Sequence, residues 1–171
     1  NHPSVTGAVG DVSKCVVACS SEPRLATPFL FRFSEGGLAP HSLKNLVLSA
    51  LSLQQGGEHG LALFHQLLRV PAHIRVCPAS WERSVLQVGL QNGRVVGGET
   101  YIDTISHSPL WHPTHHAIAR VWLDPLPTAN PLVCRAIAEA DYLLLAPGDF
   151  FTSLIPALLP LGIAHAIKNS Q

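Results

Sequence analysis

The residue types with the most chemical potential lie in Ala140 to Pro156, where an apolar run, Tyr142 to Ala146, empties through Pro147-Gly148-Asp149 towards Thr152 and Ser153. The almost wholly apolar run predicts a strand buried on both faces of a parallel sheet. Ligands in open α/β sheets bind at the carboxyl ends of such strands. A helix starting there aims free N–H groups and the positive end of its dipole at one place, which suits an anion. Gly148 lets a ligand approach the backbone, and the Thr152 and Ser153 hydroxyls add donors. Asp149 can instead cap the helix, and a carboxylate there competes with a phosphate for the same N–H groups.

Three other segments offer binding groups. His41 and Asn45 are four residues apart, so on a helix starting near Ser42 they share a face. Both can hydrogen-bond a base, sugar or phosphate, and Lys44 brings a cation beside them; a capped surface helix is the plainer alternative. Gly97-Gly98, followed by Thr100, permits close backbone approach after a strand, or simply makes a turn. Gly10-Asp11 opens a helix, where Asp11 either caps it or holds a ribose or metal.

Histidines cluster at His107, His112, His115 and His116. Pro113 interrupts the His112-x-x-His115 pair, and no cysteine is near in sequence. The cluster is read as loop, and no metal site is assigned. The chain contains no GxSxG, P-loop or GxGxxG, and no catalytic residue can be named from spacing.

These residues need elements to hold them. Val12, Cys15, Val16 and Cys19 have helical spacing behind Asp11. Phe29 to Phe33 reads as a short strand-like or buried run. Ser42 to Gln54 predicts a helix with Leu43, Leu46, Val47, Ala50 and Leu51 as its apolar stripe, ended by Gly56-Gly57. Glu58 to Val70 predicts a second helix with Leu61, Phe64, His65 and Leu68 on one side. His73 to Cys77 reads as β. Val85 to Leu90 and Arg94 to Val96 flank Gln91-Asn92-Gly93, a hairpin turn. Ala117 to Leu123 is β, Pro131 to Ala140 a helix with proline at its start, and another helix follows from Phe150. A last helix runs from Ile163. Strands alternating with helices predict a three-layer α/β fold with a mostly parallel, Rossmann-like sheet and one local hairpin.

The 171 residues suit one domain, and 47% hydrophobic against 13% charged residues supply a substantial core. With a formal net charge of zero, no basic patch supports a nucleic-acid partner. No apolar stretch reaches the roughly 20 residues that span a bilayer, and no signal-peptide pattern opens the sequence. Four cysteines without a CxxC are read as reduced, mostly buried thiols, which favours the cytoplasm. There is no methionine, even at position 1, so the chain is read as incomplete at both ends.

Taken together, these segments resemble the CofD/YvcK-like family. Arg32-Phe33, then Pro40-His41-Ser42-Leu43-Lys44-Asn45-Leu46, is similar to the family's Arg-Phe and Gly-His-x-x-Gly-Asn-Leu. Gly98-Glu99-Thr100-Tyr101-Ile102 is similar to its Gly-x-Ser/Thr-x-Ile. Ala146 to Leu159 is close to its Gly-Pro-Gly-Ser-Leu-Tyr-Thr-Ser-Ile-Ile-Pro-x-Leu-Leu, and Gly10-Asp11 keeps part of its helix opening. Thr152-Ser153-Leu154-Ile155-Pro156 looks like the branch of gluconeogenesis-factor regulators. The resemblance covers nearly the whole chain as a single partial domain, 1–171, without the family's glycine-rich first segment and without its C-terminal part.

The resemblance implies a cytoplasmic regulatory protein that binds a nucleotide or UDP-sugar-like nucleotide-sugar, with no nucleic-acid or membrane partner. Its implied ligand contacts are Gly10, Asp11, His41, Asn45, Gly98, Thr100, Pro147, Gly148, Thr152 and Ser153. The other branch implies a transferase that moves a phospho-lactate group from a guanosine diphosphate-linked donor, with magnesium as cofactor. Pro40 and Lys44 stand where the family has glycines, and Asp149 where it has serine. These departures motivate a third reading, a chain that keeps the fold and has lost the ligand. Apolar helix faces leave self-association open.

Overall fold

The computed structural model describes residues 9–98, 102 and 117–170. The chain is α/β and divides into two compact units, Asn1–Glu82 and Arg83–Gln171.

The described part of the first unit is helical. Helix α1 spans Val9–Ala18 and buries Val12, Ser13, Val16 and Val17. This stripe repeats every three to four residues and makes one apolar face with a single hydroxyl in it. Asp11 lies inside the first turn of α1 and not at its N-cap, the position expected for it. Cys15 is exposed and Cys19, Cys77 and Cys134 are half-buried; all four are free, but none is the buried thiol that composition suggested. The one-turn helix α2, Pro23–Ala26, runs into a 3-10 turn, Thr27–Leu30. Over Phe29 to Phe33, expected as a strand-like or buried run, the chain makes that turn and one antiparallel bridge, Arg32 with Ser42, and Phe29 packs against the core.

Helices α3, Leu43–Gln55, and α4, Gly57–Leu67, form an antiparallel-type hairpin turned at Gly56, whose φ of 85° suits glycine. The face that α3 buries is Lys44, Leu48 and Ser52. Of the apolar stripe expected from Leu43, Leu46, Val47, Ala50 and Leu51, Val47 and Leu51 pack half-buried against the core, while the fully buried positions lie one residue further on. A lysine and a serine hold inside places that hydrophobicity alone assigns to the exterior. Gly60 explains the close crossing: a Cβ there would stand 2.6 Å from the Ser52 backbone nitrogen. Val12, Val16, Val17, Leu48, Leu61, Phe64 and Leu68 form the core, with Phe29 edge-on to Phe64 at 5.8 Å.

The segment after α4 is held by His65. Its Nε2 accepts from the Val76 N–H at 3.2 Å, so Nδ1 carries the ring proton and donates to Leu61 O at 2.8 Å. The β run expected over His73 to Cys77 forms no strand; its anchor is this imidazole rather than a neighbouring strand.

The second unit contains a three-stranded antiparallel sheet in the order β2-β1-β3, with β1 Val85–Leu90, β2 Val95–Gly97 and β3 Ile118–Asp124. The hairpin is where the sequence puts it: the Gly93 N–H donates to Leu90 O, Arg94 N–H to Asn92 Oδ1, and Gly93 has a φ of 83°. Along β1, Leu86, Val88 and Leu90 are buried on one face and pack with Val96 and Ile102. Helix α5, Pro131–Ala138, starts with proline behind Asn130, whose side chain accepts from the Leu132 N–H. A π turn, Phe150–Leu154, continues as α6, Ile155–Leu158, and α7 spans Ile163–Lys168.

The sheet pairing differs from expectation. Among the described residues every named strand pairs antiparallel, and the sole parallel contact is the bridge between Thr128 and Leu161. Tyr142 to Ala146 is unpaired, with Tyr142, Leu144 and Leu145 exposed by 87%, 92% and 72%. An apolar run reports a preference for burial; its pairing depends on neighbours. Among the described residues no helix is long and apolar enough to cross a membrane.

Candidate functional site

In the first unit, folding brings the opening of α1 to the start of α3. The two helices pack through the core described above, and the polar groups sit at the end of that contact. Ser13, fully buried, places its hydroxyl 2.7 Å from Asn45 Oδ1 and 2.9 Å from Gly10 O. Lys44 is only 9% exposed. Its Nζ donates to Asn45 Oδ1 at 2.9 Å, Ser13 Oγ at 3.1 Å and Gly10 O at 3.3 Å. An ammonium has three N–H donors, and three oxygens receive them.

Burial holds the Lys44 amine below its ordinary pKa of 10.5. The charge of Arg32 pushes the same way, Asp11 opposes it, and Lys14 adds a smaller downward push. Arg32 itself is exposed and donates from Nη1 to Pro40 O at 2.6 Å. Two cations and one carboxylate from outside α3 therefore act on the Lys44 charge at its start.

His41 does not share a helix face with Asn45. It precedes the cap residue Ser42, and its backbone is spent on the loop: its N–H donates to Leu38 O and its carbonyl accepts from Phe33 N–H. The i,i+4 relation fails because the bridge of Arg32 to Ser42 keeps this segment extended until Leu43. The His41 side chain is exposed.

In the second unit, the Pro147-Gly148-Asp149 turn is exposed. Asp149 Oδ1 accepts from the Phe151 N–H at 3.0 Å and the Thr152 N–H at 2.9 Å, while its carbonyl accepts from Ser153 and Leu154. The chain's own carboxylate thus occupies the N–H groups that would face an anion. Gly148 has Ser153 Cβ 3.4 Å from where its own Cβ would stand. Gly98, with a φ of 91°, accepts at its carbonyl from Ile102 N–H and donates from its own N–H to Leu86 O. Thr100 and the histidines at 107, 112, 115 and 116 lie outside the described residues.

The site residues read from sequence are thus gathered in part. Gly10 and Asn45 meet through Ser13 and Lys44, with Asp11 close enough to act on the Lys44 charge. Ser13 was not anticipated, although a serine set among Val12, Val16 and Val17 on one apolar face is a legible signal. The sequence offers Lys44 only as a nearby cation; its burial at the head of the Lys44-Leu48-Ser52 stripe is a matter of packing.

Comparison with known proteins bears on what such a site serves. A family model described as 2-phospho-L-lactate transferase CofD matches residues 5–171. A putative gluconeogenesis factor of Deinococcus radiodurans is 39% identical over 168 residues, covering 95% of this chain and 34% of that protein. A gluconeogenesis factor of Halalkalibacterium halodurans is 36% identical over 166 residues, covering 94% of this chain and 48% of its own. The crystal structure of a Bacillus halodurans protein superposes with a TM-score of 0.83 at 34% identity, over 95% of this chain and 50% of that one. The chain spans about a third to a half of the length of the curated relatives it matches.

Proposed function

The chain belongs to the family described as 2-phospho-L-lactate transferase CofD, and from that premise we propose that it is part of a cytoplasmic regulatory protein that binds a nucleotide or nucleotide-sugar. The relatives named gluconeogenesis factor support the regulatory branch. The observation that carries the binding reading is the junction of Ser13 with Asn45, which brings the Gly10-Asp11 helix opening and the Asn45 amide to one place. A polar cluster between two helices, with cations beside it, suits a phosphorylated ligand. Ligand bound there favours one arrangement of α1 and α3 that a partner can read.

The family description keeps a 2-phospho-L-lactate transferase as the second reading, for which the resemblance implies a guanosine diphosphate-linked donor and magnesium. A magnesium ion wants oxygen ligands and usually one or two carboxylates. The oxygens of Gly10, Ser13 and Asn45 are instead taken by the Lys44 ammonium, so this cluster does not fit the metal.

Calorimetric titration of the chain with UDP-N-acetylglucosamine, and separately with guanosine diphosphate plus magnesium, tests both. Saturable binding of the UDP-sugar alone supports the regulator. Magnesium-dependent binding of guanosine diphosphate alone supports the transferase. A folded protein that gives heat with neither contradicts both and leaves a chain that has lost its ligand.

A further inference from the structure

We propose that Lys44 is a positioning residue that locks the Asn45 amide with its oxygen inward and its NH2 outward, so that the ligand atom meeting Asn45 is a hydrogen-bond acceptor. The proposal rests on the binding reading above for its ligand, and on geometry for everything else.

The two ends of an asparagine amide have opposite hydrogen-bonding character, and which end points where must be deduced from the neighbours. Ser13 alone does not decide it. Its hydroxyl could donate to Gly10 O, 2.9 Å away, and accept from an Asn45 NH2 turned inward. The Lys44 ammonium decides it because it can only donate. At 2.9 Å it accepts no neighbour but an oxygen, so Oδ1 faces it. Asn45 Nδ2 has no hydrogen-bond partner among the described residues and is not among the buried polar atoms left unpaired. Both of its N–H donors remain for a phosphate oxygen, a base carbonyl or a sugar oxygen. A ligand group that donates would meet N–H against N–H.

The groups that act on Lys44 are Asp11 and Lys14 from α1 and Arg32 from the segment before α3. When Lys44 loses its proton, the amine gains a lone pair that can accept from Nδ2, and the amide is free to turn. Binding should therefore weaken as pH rises through the titration of Lys44, which burial sets below 10.5.

The test uses 15N-labelled protein of the whole chain and UDP-N-acetylglucosamine as probe. The Asn45 side-chain NH2 signal is identified by its loss in Asn45→Ala. In the unsubstituted protein this signal should move with a midpoint below 10.5, and in Lys44→Met that movement should vanish. Lys44→Met should bind the probe about tenfold more weakly, the scale of one hydrogen bond, with little pH dependence above neutrality. Lys44→Arg, which keeps the donors, should restore most of the affinity. If Lys44→Met binds like the unsubstituted protein while Asn45→Ala does not bind, the positioning role is overturned and the binding reading stands. If nothing binds the probe, the binding reading fails, and the Asn45 signal still decides the role of Lys44: a high-pH movement supports it and none overturns it. If Lys44→Met does not fold, the pH titration and Lys44→Arg decide in the same way.

Discussion

Ser13 and Asn45 are 32 residues apart in sequence, yet the hydroxyl of one stands 2.7 Å from the side-chain oxygen of the other. That contact ties α1 to the first turn of α3 at the point where the helix opening of Gly10-Asp11 ends. A hydroxyl set in an apolar face costs free energy unless it is bonded, so the pair fixes the register of the two helices as well as the polar cluster.

Ser13→Ala should remove one partner of Asn45 Oδ1 and leave Lys44 as the other. Loss of a single such bond destabilises by about 1 kcal/mol. Urea unfolding should show a lower midpoint with an unchanged slope. Probe binding should weaken less than in Lys44→Met, because the Lys44 amine still fixes the amide.

Lys44 should make stability depend on pH in the alkaline range. Its pKa in the folded chain is lowered from 10.5, by burial first and then by Arg32. Between that lowered value and 10.5 the unfolded chain binds the extra proton, so unfolding is disfavoured increasingly as pH rises. Below the folded pKa both states carry the charge and the lysine adds no slope. Urea midpoints of the unsubstituted protein minus those of Lys44→Met, measured from neutral pH upward, should therefore rise with pH across that window. A difference that stays flat or falls would contradict the buried, charged lysine.

Gly60→Ala should be strongly unfavourable. Its Cβ would lie 2.6 Å from Ser52 N and 2.7 Å from Leu51 C, both backbone atoms that move only with the whole helix. Overpacking of this kind costs about 1–3 kcal/mol. Gly37→Ala is the matching control, since nothing lies within 4 Å of its added Cβ. Thermal unfolding should separate the two, with the Gly60 variant melting well below the other.

Asp149→Ala should lose a cap and open an anion site at once. The carboxylate receives the Phe151 and Thr152 N–H groups, and losing such a cap costs about 1 kcal/mol. Asp149→Asn keeps an acceptor and drops the charge. Asp149→Asn should therefore lose less stability than Asp149→Ala. Urea unfolding of the two variants checks this.

Local chemistry was legible wherever one segment decides its own shape. Asn92-Gly93 fixes its hairpin because the turn needs positive φ, and Pro131 starts its helix behind a capping Asn130. The resemblance carried Asn45 to a place that the structure joins to Gly10. Three features needed the partner element. The buried face of α3 is set by two neighbours: α4 crosses close to Ser52 at Gly60, and Lys44 is bonded to Gly10 and Ser13 of α1. His41 leaves the helix because Arg32 pairs with Ser42. The apolar Tyr142 to Ala146 run states a preference for burial without naming a strand to pair with, and it stands exposed.

The most direct measurement is a calorimetric titration of UDP-N-acetylglucosamine into the unsubstituted chain and into Asn45→Ala, both shown to be folded by circular dichroism. The account predicts saturable binding by the first and a loss of at least about tenfold in affinity in the second, as expected when a ligand loses its donor pair. Equal affinity in the two proteins, or no binding by the unsubstituted one, would contradict a nucleotide-sugar site at Asn45.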